Sequence, residues 1–141
     1  MMSTRSAQAV WEGNLREGKG KVKVNSFNEQ YTYSSRFEDS KGASPEELIA
    51  AAEASCFSMA LSEQLAKEGH PPKKVDTTAK VHLDKVGDKY KITTIELEAK
   101  GDVPGIDDRE FQRFAESARR SSLITQVMSG ANIKLNAQLQ G

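Results

Sequence analysis

The chain holds a single cysteine, Cys56, inside the run Ser44-Pro45-Glu46-Glu47-Leu48-Ile49-Ala50-Ala51-Ala52-Glu53-Ala54-Ser55-Cys56-Phe57-Ser58-Met59-Ala60-Leu61. A lone thiol in a helix has two readings. It can serve as a small buried hydrophobe. It can also be a nucleophile or redox centre, provided that a cation or a helix N-terminus stabilises the thiolate. Cys56 falls three turns into the expected helix, beyond the reach of the helix dipole. Glu53, three residues earlier, adds a negative charge that opposes a thiolate. A stabilising cation must therefore come from elsewhere in the fold. His70 and His82 lack ligand spacing with Cys56 or with acidic pairs, so no metal or other cofactor is expected. Lys19 with Lys21, and Lys73 with Lys74, read as solvated charges. Arg119-Arg120 suits a helix C-terminus. Gly18-Lys19-Gly20-Lys21 lacks the length of a phosphate loop.

The elements that must carry Cys56 follow from periodicity. Ala7–Trp11, Lys19–Phe27 and Gln30–Phe37 alternate or are rich in strand formers, which predicts a three-strand antiparallel meander. Its turns are expected at Glu12-Gly13-Asn14 and Asn28-Glu29. A polar loop, 38–43, precedes a helix with Ser44 as N-cap, Pro45 at the first helical position and Glu47 completing a capping box. That helix is expected to reach Glu68 and stop at Gly69. Leu48, Ala52, Ser55 and Met59 share one face. Ala50, Ala54, Phe57, Leu61 and Leu65 share another, so burial on two sides is expected.

Val75–Leu83 and Tyr90–Lys100 predict a second strand pair across a loose loop, 84–88. Asp107, with Glu110 three residues on, begins a helix to Arg120 that buries Phe111, Phe114 and Ala118. A short helical turn, 123–128, leads to a last strand with Ile133, Leu135, Ala137 and Leu139 on one face.

At 141 residues the chain is expected to form one domain, 1–141, with a core that needs no metal or disulfide staple. Twenty basic residues balance twenty acidic ones, so no charge field points to nucleic acid or a membrane surface. No apolar run approaches the roughly 20 residues of a membrane span. Residues 1–10 lack the apolar core of a signal peptide. A lone thiol persists best in a reducing compartment, so a cytoplasmic location is expected.

The helix run Ser44–Leu61 resembles the signature helix of the OsmC/Ohr family, the osmotically inducible and organic hydroperoxide resistance proteins. The likeness extends from Trp11-Glu12-Gly13 through Val103-Pro104-Gly105-Ile106-Asp107 to the final strand. It implies an α+β OsmC-like fold, antiparallel sheets wrapped around a central helix, assembled as an intertwined homodimer. It also implies that Cys56 is a peroxide-reducing thiol. Within Ser34-Ser35-Arg36-Phe37-Glu38, Arg36 matches the arginine that holds the thiol and the peroxide. Glu46, after the helix-start proline, matches the glutamate that orients the arginine.

Two departures stand out. A second cysteine normally follows in the C-terminal third, in a motif with proline and serine. This chain has Ala118-Arg119-Arg120-Ser121-Ser122-Leu123-Ile124-Thr125, which puts Ser122 at the resolving position. Glu53 stands where histidine or glycine is common. With one sulfur, the sulfenic acid formed by a peroxide must be resolved by an external thiol, or over-oxidise. Phe57 and Met59 are candidates for favouring organic peroxides. Glu46 and Cys56 are ten residues apart, about 15 Å along a helix. If both belong to one site, a second copy must supply one of them. The expected function is a one-cysteine peroxidase of organic hydroperoxides. The alternative is a catalytically lapsed dimer that binds an apolar small molecule.

Overall fold

The structure, a computed structural model, describes residues 4–38, 41–128, 130 and 132–140. The chain divides into two compact units, Met1–Leu48 and Ile49–Gly141.

In the first unit, β1 (Gln8–Glu12), β2 (Lys19–Val24) and β3 (Phe27–Tyr31) form the expected antiparallel meander, in the order β1-β2-β3. Its second turn comes earlier than expected. Val24 pairs with Phe27, so Asn25-Ser26 is a two-residue hairpin loop and not part of the strand. Asn25 takes φ 55°, a left-handed conformation that asparagine tolerates. The expected third strand is also cut short. Residues Tyr33–Phe37 form a helical turn, α1, with Thr32 as N-cap. Thr32 Oγ1 accepts from the Ser35 amide at 3.1 Å, and Ser35 Oγ accepts from the Thr32 amide at 2.8 Å. These reciprocal bonds satisfy two donors locally and win over the strand propensity of Tyr31-Thr32-Tyr33. Arg36 is therefore a helical residue, not a strand charge. Residues 39 and 40 of the expected 38–43 loop lie outside the described residues.

Helix α2 (Pro45–Lys67) begins as the capping pattern predicts. Ser44 Oγ accepts from the Glu47 amide at 3.1 Å, and its hydroxyl faces Glu47 Oε1 at 3.3 Å. The helix ends where Gly69 takes φ 86° and the His70 amide reaches back to Leu65 O at 2.8 Å.

The second unit packs helices on a mixed sheet, β4-β5-β6. β4 (Lys74–Val86) and β5 (Lys89–Asp102) are longer than their sequence bounds. Val86 pairs with Lys89, so the expected loose loop is a tight Gly87-Asp88 turn, with Gly87 at φ 68°. β6 (Asn132–Gln140) runs parallel to β5, because α3 (Asp108–Ser121) and α4 (Leu123–Val127) form a crossover between them. The sheet is thus not wholly antiparallel. Ile95, Leu97 and Ala99 of β5 meet Ile133 and Ala137 of β6, Phe57, Leu61 and Leu65 of α2, and Phe111, Ala115 and Ala118 of α3 in one core. Phe111 packs directly over Gly101. A Cβ there would lie 2.5 Å from Phe111 Cε1, so glycine is required by close approach. Asp107 caps α3 by accepting from the Glu110 amide at 2.9 Å.

In the single chain, helix α2 buries one face. Glu53, Phe57, Leu61 and Leu65, spaced by four, are fully buried. Met59 is 73% exposed, and Ala51 and Ser55 are exposed as well. The face of small residues is open in the single chain.

Candidate active site

Arg36 and Glu46 meet in the first unit. Capped by Thr32, α1 carries Arg36 in its last turn, and Glu46 lies in the first turn of α2. Arg36 Nε donates to Glu46 Oε1 at 3.0 Å and Nη2 donates to Oε2 at 2.9 Å, a bidentate fork. Ser35 Oγ donates to Ala43 O at 2.8 Å, and the Ala43 amide donates to Gln30 O at 2.9 Å. These bonds tie α1 to the chain entering α2. The guanidinium also lies 4.9 Å from the Phe37 ring centroid. The glutamate is the more buried partner, with side chains 36% and 12% exposed for Arg36 and Glu46. A planar cation is so held with Nη1 outside the fork, suited to a peroxide oxygen or a thiolate.

Near this pair, Ala9, Val22, Tyr31, Ala43, Ser44, Pro45 and Leu48 line an almost wholly apolar cavity of about 190 Å³. Its lining includes the residue immediately before Glu46. It can take the hydrocarbon part of a small ligand.

Cys56 belongs to the second unit, as a half-buried free thiol on α2. Beside it on α2, Phe57 is wholly inside the core and Met59 is exposed in the single chain.

Ser122 is 1% exposed, and its hydroxyl donates to Glu53 Oε1 at 3.2 Å. Thr125 Oγ1 donates to the same oxygen at 3.1 Å. The two departures noted in sequence are thus one feature: the Ser122 hydroxyl binds the Glu53 carboxylate on α2. Sequence reasoning missed this link, and it treated Glu53 only as a charge near Cys56. The available signal was a carboxylate inside a run of small and apolar helix residues, Glu53, together with the hydroxyl residues Ser122 and Thr125 later in the chain. Ser122 is the N-cap residue of α4 but makes no side-chain cap, since its hydroxyl is committed to Glu53.

At the end of α3, Arg119 and Arg120 both pair with Glu116 and do not form a free anion site. The hydrogen bond from Arg119 is the main cause that holds the Glu116 carboxyl below its ordinary range and raises Arg119.

Comparison with known proteins fits this architecture. Residues 38–138 match the family model of OsmC-like proteins. The chain is 45% identical to an Escherichia coli protein named peroxiredoxin OsmC, over 96% of each chain. Its fold matches an organic hydroperoxide resistance protein from Elizabethkingia anophelis with a TM-score of 0.75 and 23% identity, covering 99% of this chain and 100% of that one. A Legionella pneumophila organic hydroperoxide resistance protein matches with a TM-score of 0.74 and 19% identity, over 96% and 98%. The α+β fold expected from sequence is therefore the fold of those proteins, and the chain belongs to the OsmC-like family.

Proposed function

We propose that the chain is a thiol peroxidase that reduces organic hydroperoxides with one cysteine. The observation that carries this reading is the bidentate Arg36–Glu46 pair, formed by the two residues that the family likeness assigns to it. The 45% identity with a peroxiredoxin supports the same reading.

In this mechanism the Cys56 thiolate attacks the distal oxygen of the hydroperoxide. The S–O bond forms as the O–O bond breaks, and the leaving alkoxide takes a proton to become an alcohol. Arg36 stabilises the thiolate and the developing alkoxide, in the manner of a preorganised cation. Glu46 fixes the guanidinium. The sulfenic acid on Cys56 is then attacked by an external thiol, which releases water and leaves a mixed disulfide. A second thiol frees Cys56. The apolar cavity favours hydrocarbon-bearing peroxides over hydrogen peroxide.

The working unit is a two-fold homodimer. Along one helix Glu46 and Cys56 are about 15 Å apart. Two α2 helices packed antiparallel, with the two-fold axis level with the midpoint of the 46–56 segment, bring Glu46 of each copy to the height of Cys56 of the other. A reducing, cytoplasmic setting would supply the external thiol. A lapsed, ligand-binding role would use the same cavity without reaction at Cys56.

The test is peroxide consumption with an excess of a small dithiol. Cumene hydroperoxide should be consumed faster than hydrogen peroxide. Arg36→Ala should slow the reaction by about 10²-fold or more. Equal rates for wild type and Arg36→Ala would remove Arg36 from the mechanism.

A further inference from the structure

The carboxyl of Glu53 is wholly buried, and its two oxygens are treated very differently. Oε1 accepts from Ser122 and Thr125, while Oε2 has no partner among the described residues. A buried oxygen left without a donor is costly and calls for an explanation. Both hydroxyls donate to the carboxyl, so it is used here as an acceptor.

Glu53 precedes Cys56 by three residues on α2, and side chains at this spacing are neighbours, with Cβ atoms about 5–6 Å apart. We infer that Glu53 Oε2 is the acceptor for the S–O–H group that peroxide creates on Cys56, and that it protects this sulfenic acid from a second oxidation. This rests on the one-cysteine peroxidase reading.

The chemistry sets the direction. Over-oxidation runs through the sulfenate anion. Its sulfur attacks a second hydroperoxide, a new S–O bond forms, the O–O bond breaks, and the alkoxide leaves as alcohol after taking a proton. The product is a sulfinate, with sulfur oxidised by two electrons. A carboxylate beside the S–O–H group disfavours that anion by like charge and by accepting the proton's hydrogen bond. The neutral sulfenic acid still reacts with an external thiolate. The thiolate sulfur attacks Sγ, the S–O bond breaks, and hydroxide leaves as water with a proton from solvent. Glu53 thus suppresses the damaging branch and leaves the productive one open. In a chain whose resolving position is a serine, the sulfenic acid must wait for a collision, so this protection matters.

The experiment compares wild type with Glu53→Gln, which keeps the side-chain shape and removes the charge. Intact mass is followed over time with cumene hydroperoxide, with and without dimedone. With dimedone, Glu53→Gln should give the adduct at least as fast as wild type, since the charge that opposes the thiolate is gone, so over-oxidation is read as sulfinic acid per sulfenic acid formed. Without dimedone, that ratio should rise about tenfold in Glu53→Gln. Glu53→Asp, which keeps the charge but retracts it by one methylene, should fall between the two and serves if the glutamine variant does not fold. The wild-type ratio in the folded variants would overturn the role of Glu53 and leave the peroxidase reading intact. Absence of any adduct in the wild type would overturn both.

Discussion

Ser122 Oγ lies 3.2 Å from Glu53 Oε1, so this hydroxyl anchors the α3–α4 junction to the helix that carries Cys56. Both residues are buried. Ser122→Ala leaves Thr125 as the one described donor to that carboxyl. The variant should lose about 1–3 kcal/mol of unfolding free energy, the range for a buried polar group deprived of a partner. Urea unfolding followed by circular dichroism reads this directly. An unchanged midpoint would mean that the bond contributes nothing net.

A shared site predicts complementation. Cys56→Ser chains and Arg36→Ala chains should each be nearly inactive. Mixed after mild denaturation and refolding, they form heterodimers in which one of the two sites has an intact Cys56 and an intact Arg36. Activity should reappear on mixing. Failure to recover activity, with heterodimers shown to form, would place the whole site within one chain.

The close approach of Phe111 to Gly101 predicts a backbone-specific cost. Gly101→Ala adds one methyl where the ring already sits, and overpacking of this kind costs about 1–3 kcal/mol. Thermal unfolding of Gly101→Ala, and of the double variant with Phe111→Leu, measures it. The smaller side chain should recover part of the loss.

Glu116 provides a pH test. Its carboxyl is held below the ordinary range, first by the Arg119 hydrogen bond. A depressed carboxyl stabilises the fold above its unfolded pKa and loses that contribution as pH falls through its folded value. Glu116→Gln should therefore be less stable than wild type at pH 7, by under about 1 kcal/mol given its solvent exposure. The difference should vanish in acid. A gap that widens on acidification would contradict the assignment.

Much of the fold was legible because its signals were local. Ser44 and Asp107 cap helices as their spacing predicts, and alternation located the three long strands of the second unit. Errors arose where two local signals competed. Thr32 and Ser35 form a capping pair inside a run of strand-forming residues, and the reciprocal bonds prevailed. The parallel pairing of β6 depends on a crossover that periodicity does not encode. At the candidate site, Arg36 and Glu46 were legible through family likeness, and their hydrogen-bonded fork needed coordinates. The partners of Glu53 were not legible because they are 69 and 72 residues away in the chain.

The central claim is that Cys56 reduces a hydroperoxide without a second cysteine. Intact-mass spectrometry after brief exposure to cumene hydroperoxide with dimedone tests it most directly. The account predicts rapid, stoichiometric formation of one dimedone adduct at Cys56, slower with hydrogen peroxide and lost in Arg36→Ala. An unmodified thiol after many minutes would contradict it and leave a family member whose cysteine is inert.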